Sequence, residues 1–126
     1  MNTLKQFKIA SIAIITLGII HVLATPIVIQ GLKFLNLKTI LCIGYMFVAT
    51  GIAVIALGWL QYYILKRLQN HSYFLAILKG TVVFILVSGI GAVATMWDNP
   101  FAYLILLVAL YESFLLRTIQ PKGIPN

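Results

Sequence analysis

The chain has 126 residues, 62% of them hydrophobic and 9% charged, with a mean hydropathy of +1.06 and a formal net charge of +7. A soluble domain is nearer half apolar and a quarter charged, so this composition excludes an ordinary water-soluble fold. The nine basic residues stand at the ends of apolar runs rather than in one patch, which reads as a topology signal beside anionic lipid and argues against nucleic-acid binding.

A bilayer core ~30 Å thick needs ~20 apolar residues at ~1.5 Å rise per residue. Four such spans with short loops take up residues 1–126 as a single four-span transmembrane domain. Span 1 is predicted over about residues 9–29, after a basic tail ending at Lys8. The basic start and the small residues Ala24 and Thr25 have the outline of a cleavable signal peptide. The apolar run continues through Ile27, Val28 and Ile29, longer than such a segment requires, so a retained span is expected. Pro26 should bend or loosen its last turn.

A connector from Gln30 to Lys38 leads to span 2, about residues 39–65, which closes on Lys66 and Arg67. This span is longer than a perpendicular crossing needs, so tilt or a protruding end is expected. Gln69 to Ser72 form a polar turn. Span 3 covers about residues 73–97, with Lys79 in its first two turns. Asp98-Asn99-Pro100 then marks a tight helical hairpin, because Asn99 or Asp98 can cap a helix and Pro100 suits a first position that needs no N–H. Span 4 runs over about residues 100–116 and closes on Arg117; the tail from Pro121 is expected to be disordered.

An even span count puts both termini on one side of the membrane. Lys5, Lys8, Lys66, Arg67, Lys79, Arg117 and Lys122 fall on that side, against Lys33 and Lys38 on the other. This asymmetry predicts cytoplasmic termini. Trp59, Tyr62, Tyr63, Tyr73 and Tyr111 fall near one interface and Trp97 and Tyr103 near the other, as aromatic belts do.

Helical arithmetic at ~100° per residue locates the packing faces. Span 1 carries Ser11, Gly18, His21 and Thr25 on one stripe, and span 2 repeats glycine at Gly44, Gly51 and Gly58. Span 3 offers Gly80, Ser88, Gly91 and Thr95; span 4 offers Ala102, Ile105, Ala109 and Glu112. Lipid tails give helices no hydrophobic push toward each other, so close backbone approach through small residues has to supply the attraction.

Ionisable side chains inside a membrane are costly and are candidates for function. His21 lies about twelve residues, ~18 Å, into span 1. It is a candidate proton carrier, metal or haem ligand, or polar contact for a bound molecule, against the plainer reading of a neutral imidazole bonded to Thr25 or Tyr45. A haem held by two histidines of one chain is disfavoured, since His71 falls at the wrong height. Metal binding lacks carboxylates or thiols at His21's depth. His21, Thr25, Cys42, Tyr45 and Thr95 share the outer half by height, although Cys42 and Tyr45 do not share the glycine face of span 2, with Trp97 and Asp98 at the rim. His21, Thr25, Tyr45 and Thr95 form the candidate intramembrane polar site. Lys79 and Glu112 lie at similar depth and are expected to form an ion pair; a coupling carboxylate at Glu112 is the alternative. Cys42 is a lone thiol with no partner for an intrachain disulfide. No phosphate-binding glycine loop or nucleophile elbow is present, and the chain has only two carboxylate side chains.

The stretch Leu17-Gly-Ile-Ile-His21, opening a four-span chain, resembles small bacterial four-helix membrane proteins of the DoxX-like type. That resemblance covers the span count and one short motif, and implies a quinone or thiol redox partnership. No catalytic residue carries over, and the lone Cys42 sets this chain apart from thiol chemistry.

The expectation is therefore an all-α, polytopic membrane four-helix bundle of the bacterial inner membrane, with both termini cytoplasmic and no enzymatic activity by itself. It would bind a lipophilic molecule, quinone or lipid, or a membrane partner or second copy of the chain. A small oligomeric proton-coupled exporter and a membrane subunit of a quinone-linked redox enzyme are the alternatives. No motif identifies a cofactor.

Overall fold

The computed structural model describes residues 3–119, and all regular secondary structure among them is helical. Helices α1 (Thr3–Gly31), α2 (Leu37–Arg67), α3 (Phe74–Thr95) and α4 (Pro100–Thr118) are each long and apolar enough to cross a membrane. The chain is a four-helix transmembrane bundle. The expected disordered tail from Pro121, with Lys122, lies outside the described residues.

The helices occupy the corners of a square. α1 packs on α2 and α4, and α3 packs on the same two, whereas the diagonals α1–α3 and α2–α4 make no Cα approach within 8 Å. The α1–α2 interface is the most extensive and α2–α3 the least. The Thr118 and Thr3 hydroxyl oxygens lie 3.5 Å apart, so the start of α1 and the end of α4 meet at one end of the bundle. Lys66, Arg67 and Arg117 also close their helices at this basic end. The far end carries the α1–α2 and α3–α4 turns.

Capping explains where the far-end turns fall. The Asn36 carboxamide oxygen accepts from the Thr39 backbone N–H at 2.9 Å, starting α2 two residues before the expected boundary. Asn99 performs the same role for α4, accepting from the Phe101 N–H at 3.0 Å, with Pro100 in the first turn. α3 ends at Thr95, so Trp97 belongs to the turn rather than to the helix. At the basic end, the stretch ending at Lys8 is not a tail. It is helical from Thr3, and Phe7 is fully buried against Ile64, Leu65, Phe74, Leu78 and Leu115. Pro26 does not end α1, which continues to Gly31.

The glycine repeat of α2 is the seam with α1. A Cβ at Gly58 would stand 2.9 Å from the Ser11 carbonyl oxygen, and one at Gly18 would stand 3.0 Å from the Gly51 oxygen. A Cβ at Gly44 would meet Ile29 at 2.8 Å. At Gly18, Gly51 and Gly58 these are approaches to the neighbouring backbone, of the kind that hold helices together where solvent provides no apolar driving force.

The stripe expected to pack α3 points the other way. Ser88 and Thr95 are exposed, and a Cβ at Gly80 or Gly91 would meet nothing within 4 Å. α3 buries Phe74, Leu78, Thr81, Val82, Ile85 and Gly89 instead, with Gly89 set against the Leu106 Cα at 3.1 Å. Outward-facing hydroxyls satisfy themselves on their own helices: Thr95 donates to the Gly91 carbonyl, and Thr50 to that of Met46, both at 2.8 Å. Such internal bonds let a polar side chain face lipid without a partner.

Candidate functional site

Two places in the bundle hold buried polar side chains without a full set of partners. The first is a cleft of about 310 Å³ at the far end, lined by α1 (His21, Ala24, Ile27, Val28), by Phe47 of α2 and by Asn99-Pro100-Phe101. His21 is only 8% exposed, and its ring stacks on Phe47 with centroids 4.4 Å apart and planes within 7° of parallel. The imidazole finds room because Gly51 opposes it, where an added Cβ would lie 3.3 Å from His21 Cδ2. His21 Nε2 is buried without a hydrogen-bond partner. Buried polar atoms are rarely left unbonded, and each exception asks for an explanation.

The rest of the expected polar site is not assembled around His21. Thr25 is buried on the same stripe, but its hydroxyl donates to the His21 carbonyl at 3.4 Å rather than to the ring. Tyr45 is 75% exposed on the lipid face of α2, and Cys42 is also exposed. Thr95 is exposed on α3. The reason is angular. Tyr45 sits ~100° round the helix from Gly44, whereas Phe47, three residues on, returns to the glycine face. Height placed Tyr45 and Thr95 correctly, and azimuth turned them outward. Trp97 and Asp98 are exposed in the far-end turn, beside Asn99 at the mouth of the cleft.

The second place lies nearer the basic end. Glu112 and Gln61 are both fully buried, and Gln61 Nε2 donates to Glu112 Oε2 at 2.9 Å. This bond spans the α2–α4 diagonal, where the backbones themselves do not approach. The expected Lys79–Glu112 ion pair is therefore not formed: Lys79 is exposed on α3, and Glu112 takes its hydrogen bond from Gln61. Lys79 shares the height of Glu112 but lies ~100° round from the buried Leu78 and ~200° from Thr81. His71 stands in the α2–α3 turn at the basic end, with the Tyr73 hydroxyl 3.3 Å from its Nδ1.

Each helix contributes one polar residue to this layer. Ser11, Gln61, Thr81 and Glu112 are all buried. Along α1, α2 and α4 they separate the residues of two apolar clusters, one around Phe7, Leu65, Leu78 and Leu115 and the other around Ile14, Val54, Ile85 and Ala109, while on α3 Thr81 falls between Leu78 and Val82 of the first cluster. Gln61 was legible as the polar residue three positions after Gly58, close to the glycine face of span 2, but its partner 51 residues on, in the fourth span, was not.

No protein-family model, curated protein or solved structure matches this chain.

Proposed function

We propose that this protein binds a lipophilic molecule with a hydrogen-bonding head, a quinone or a lipid, in the far-end cleft, and that it acts as a binding module rather than as an enzyme by itself. The observation that carries this reading is His21 Nε2, buried and unbonded, in the wall of a cleft otherwise formed mostly by hydrocarbon and aromatic surface. An apolar pocket with one or two fixed polar groups is the usual construction of a small-molecule site, and about 310 Å³ lies at the lower end of the range for such sites. That size admits a ring or head group whose tail stays in the bilayer. A head group bonded to His21 Nε2 would lie against the Phe47 and Phe101 rings. The quinone reading also agrees with what the DoxX-like resemblance implies, and would suit a membrane subunit of a redox enzyme.

The basic residues at the end where α1 begins and α4 finishes support cytoplasmic termini in a bacterial inner membrane. In that orientation the cleft opens to the outer leaflet. Cysteine placed at position 98, with Cys42 replaced by alanine, should react with an impermeant maleimide added outside intact cells, and cysteine at position 2 should not. The opposite pattern removes the orientation.

Binding is tested by titrating the purified protein with a short-chain quinone, and separately with a short-chain phospholipid, while following tryptophan fluorescence. A neutral hydrogen bond contributes about 1 kcal/mol, so His21→Leu should weaken the binding of the true ligand about fivefold. Ala24→Trp, which fills the cleft, should abolish it. Binding unchanged in both variants would remove the site.

A further inference from the structure

The Gln61–Glu112 contact leaves one oxygen over on each side chain. Gln61 Nε2 donates to Glu112 Oε2, while Gln61 Oε1 and Glu112 Oε1 are both buried without a partner. Both leftover atoms are acceptors if the carboxyl is ionised, so neither can satisfy the other. The hydroxyls of the same layer do not supply the missing donor. Ser11 gives its proton to the Phe7 carbonyl at 3.0 Å, and Thr81 gives its proton to the Leu78 carbonyl at 2.8 Å.

Among the described residues no cation stands in for it. Lys5, Lys66, Arg67, Lys79 and Arg117 are exposed, as is Tyr111; Lys8 and Tyr62 are half-buried, and none of them reaches Glu112 Oε1. The residues buried at this level on the other three helices, Ser11, Gln61 and Thr81, carry no charge. An ionised carboxylate here would hold one neutral hydrogen bond inside an apolar bundle, which strongly disfavours the charged form.

One proton resolves both orphan atoms. Placed on Glu112 Oε1, it gives an O–H that donates to Gln61 Oε1, so acid and amide join through two antiparallel hydrogen bonds and the charge disappears. A hard metal ion fits this donor set poorly. It asks for six or more oxygens, and the Gln61 N–H group already faces the carboxyl. We propose that Glu112 is a proton-binding site, and that the bound proton closes an acid–amide pair with Gln61 that ties α2 to α4 across the bundle. The proton is taken from water and returned to it, with no redox change. Its release would leave a single hydrogen bond and a buried charge on a side-chain bond that crosses this diagonal. The proposal is independent of the His21 cleft.

The composition makes the site directly observable, because Asp98 and Glu112 are the only side-chain carboxyls. Infrared spectra of the full chain in liposomes at neutral pH should show the carbonyl stretch of an un-ionised carboxylic acid, shifted by deuterium exchange. That band should be lost in Glu112→Gln and retained in Asp98→Asn. Its absence from the wild type, or its survival in Glu112→Gln, would overturn the proposal. Glu112→Gln is expected to fold, since its amide N–H can donate where the acid O–H did. A second readout is melting against pH. A folded state that binds one proton more than the unfolded chain loses stability as pH rises. The wild-type melting temperature should therefore fall between about pH 5 and about pH 9, while that of Glu112→Gln changes less over the same range. Parallel profiles for the two proteins would count against the site even if both fold.

Discussion

The two halves of the bundle differ in how their interior is closed. Toward the basic end, side chains from all four helices interlock: Phe7, Ile64, Leu65, Phe74, Leu78, Val82 and Leu115 form one cluster, and Ser11, Gln61 and Glu112 separate it from the next along α1, α2 and α4. Toward the far end, α1 and α2 remain joined by glycine contacts, but the space between them and the start of α4 opens into the His21 cleft. Both halves contain an ionisable residue. In the packed half, Glu112 reaches a partner on the opposite helix; in the open half, His21 Nε2 reaches none. A carboxyl sealed among protein groups suits the proposed proton site, and an imidazole in a cleft wall suits the proposed ligand site. The unbonded atom is buried in both cases, and of the two residues only His21 lines the cleft.

The largest effect that would break this comparison is expected at the seam common to both halves. Gly51→Leu puts its Cβ 2.5 Å from Val22 Cγ2 and 3.2 Å from the Gly18 carbonyl oxygen, and then adds a branched side chain. Overpacking of this kind should cost about 3 kcal/mol or more, read as a large drop in melting temperature in detergent. Gly91→Leu, with nothing within 4 Å of its Cβ, should stay within about 0.5 kcal/mol. Equal effects at the two glycines would mean that α3 and not only α2 packs through its glycine stripe.

The packed half is sharpened by Gln61→Leu. It strands the Glu112 carboxyl and should cost about 1–3 kcal/mol, whereas the double variant Gln61→Leu, Glu112→Leu should cost less than the two single changes added together. Strict additivity would show that the two side chains do not act as a pair. In the open half, His21→Leu should change stability by less than about 1 kcal/mol, because no protein hydrogen bond of the ring Nε2 is lost, while weakening ligand binding. The smallest effect belongs to Lys79→Ala. Its exposed side chain is not bonded to Glu112, so the melting temperature should shift by no more than about 0.5 kcal/mol would cause.

Particular residues show how far the chain could be read in advance. Gly44, Gly51 and Gly58 recur every seven residues, which keeps one face toward a neighbour over four turns, and they are the seam with α1. Ser11, Gly18, His21 and Thr25 were expected on a single stripe and are all buried. On α3 the same reasoning chose the wrong face. In a helix with almost no polar residues, small side chains are the only contrast, and their outward stripe looks the same as an inward one. Phe7 was missed for a related reason: Lys5 and Lys8 on either side of it made a basic tail the natural reading, although an aromatic ring between them had a core to enter.

Lipid as solvent was decided by the sequence alone. Four runs of this length and apolarity, punctuated by Lys/Arg, Asn-Pro and aromatic residues, make four membrane-crossing helices whatever their neighbours, because each helix satisfies its own backbone hydrogen bonds. Partner choice was decided only in three dimensions. Glu112 meets Gln61 rather than Lys79, and His21 meets Phe47 rather than Tyr45. Depth along a helix follows from counting residues, but the direction a side chain faces across the bundle depends on how four helices are rotated about their axes. Only their mutual packing sets that rotation.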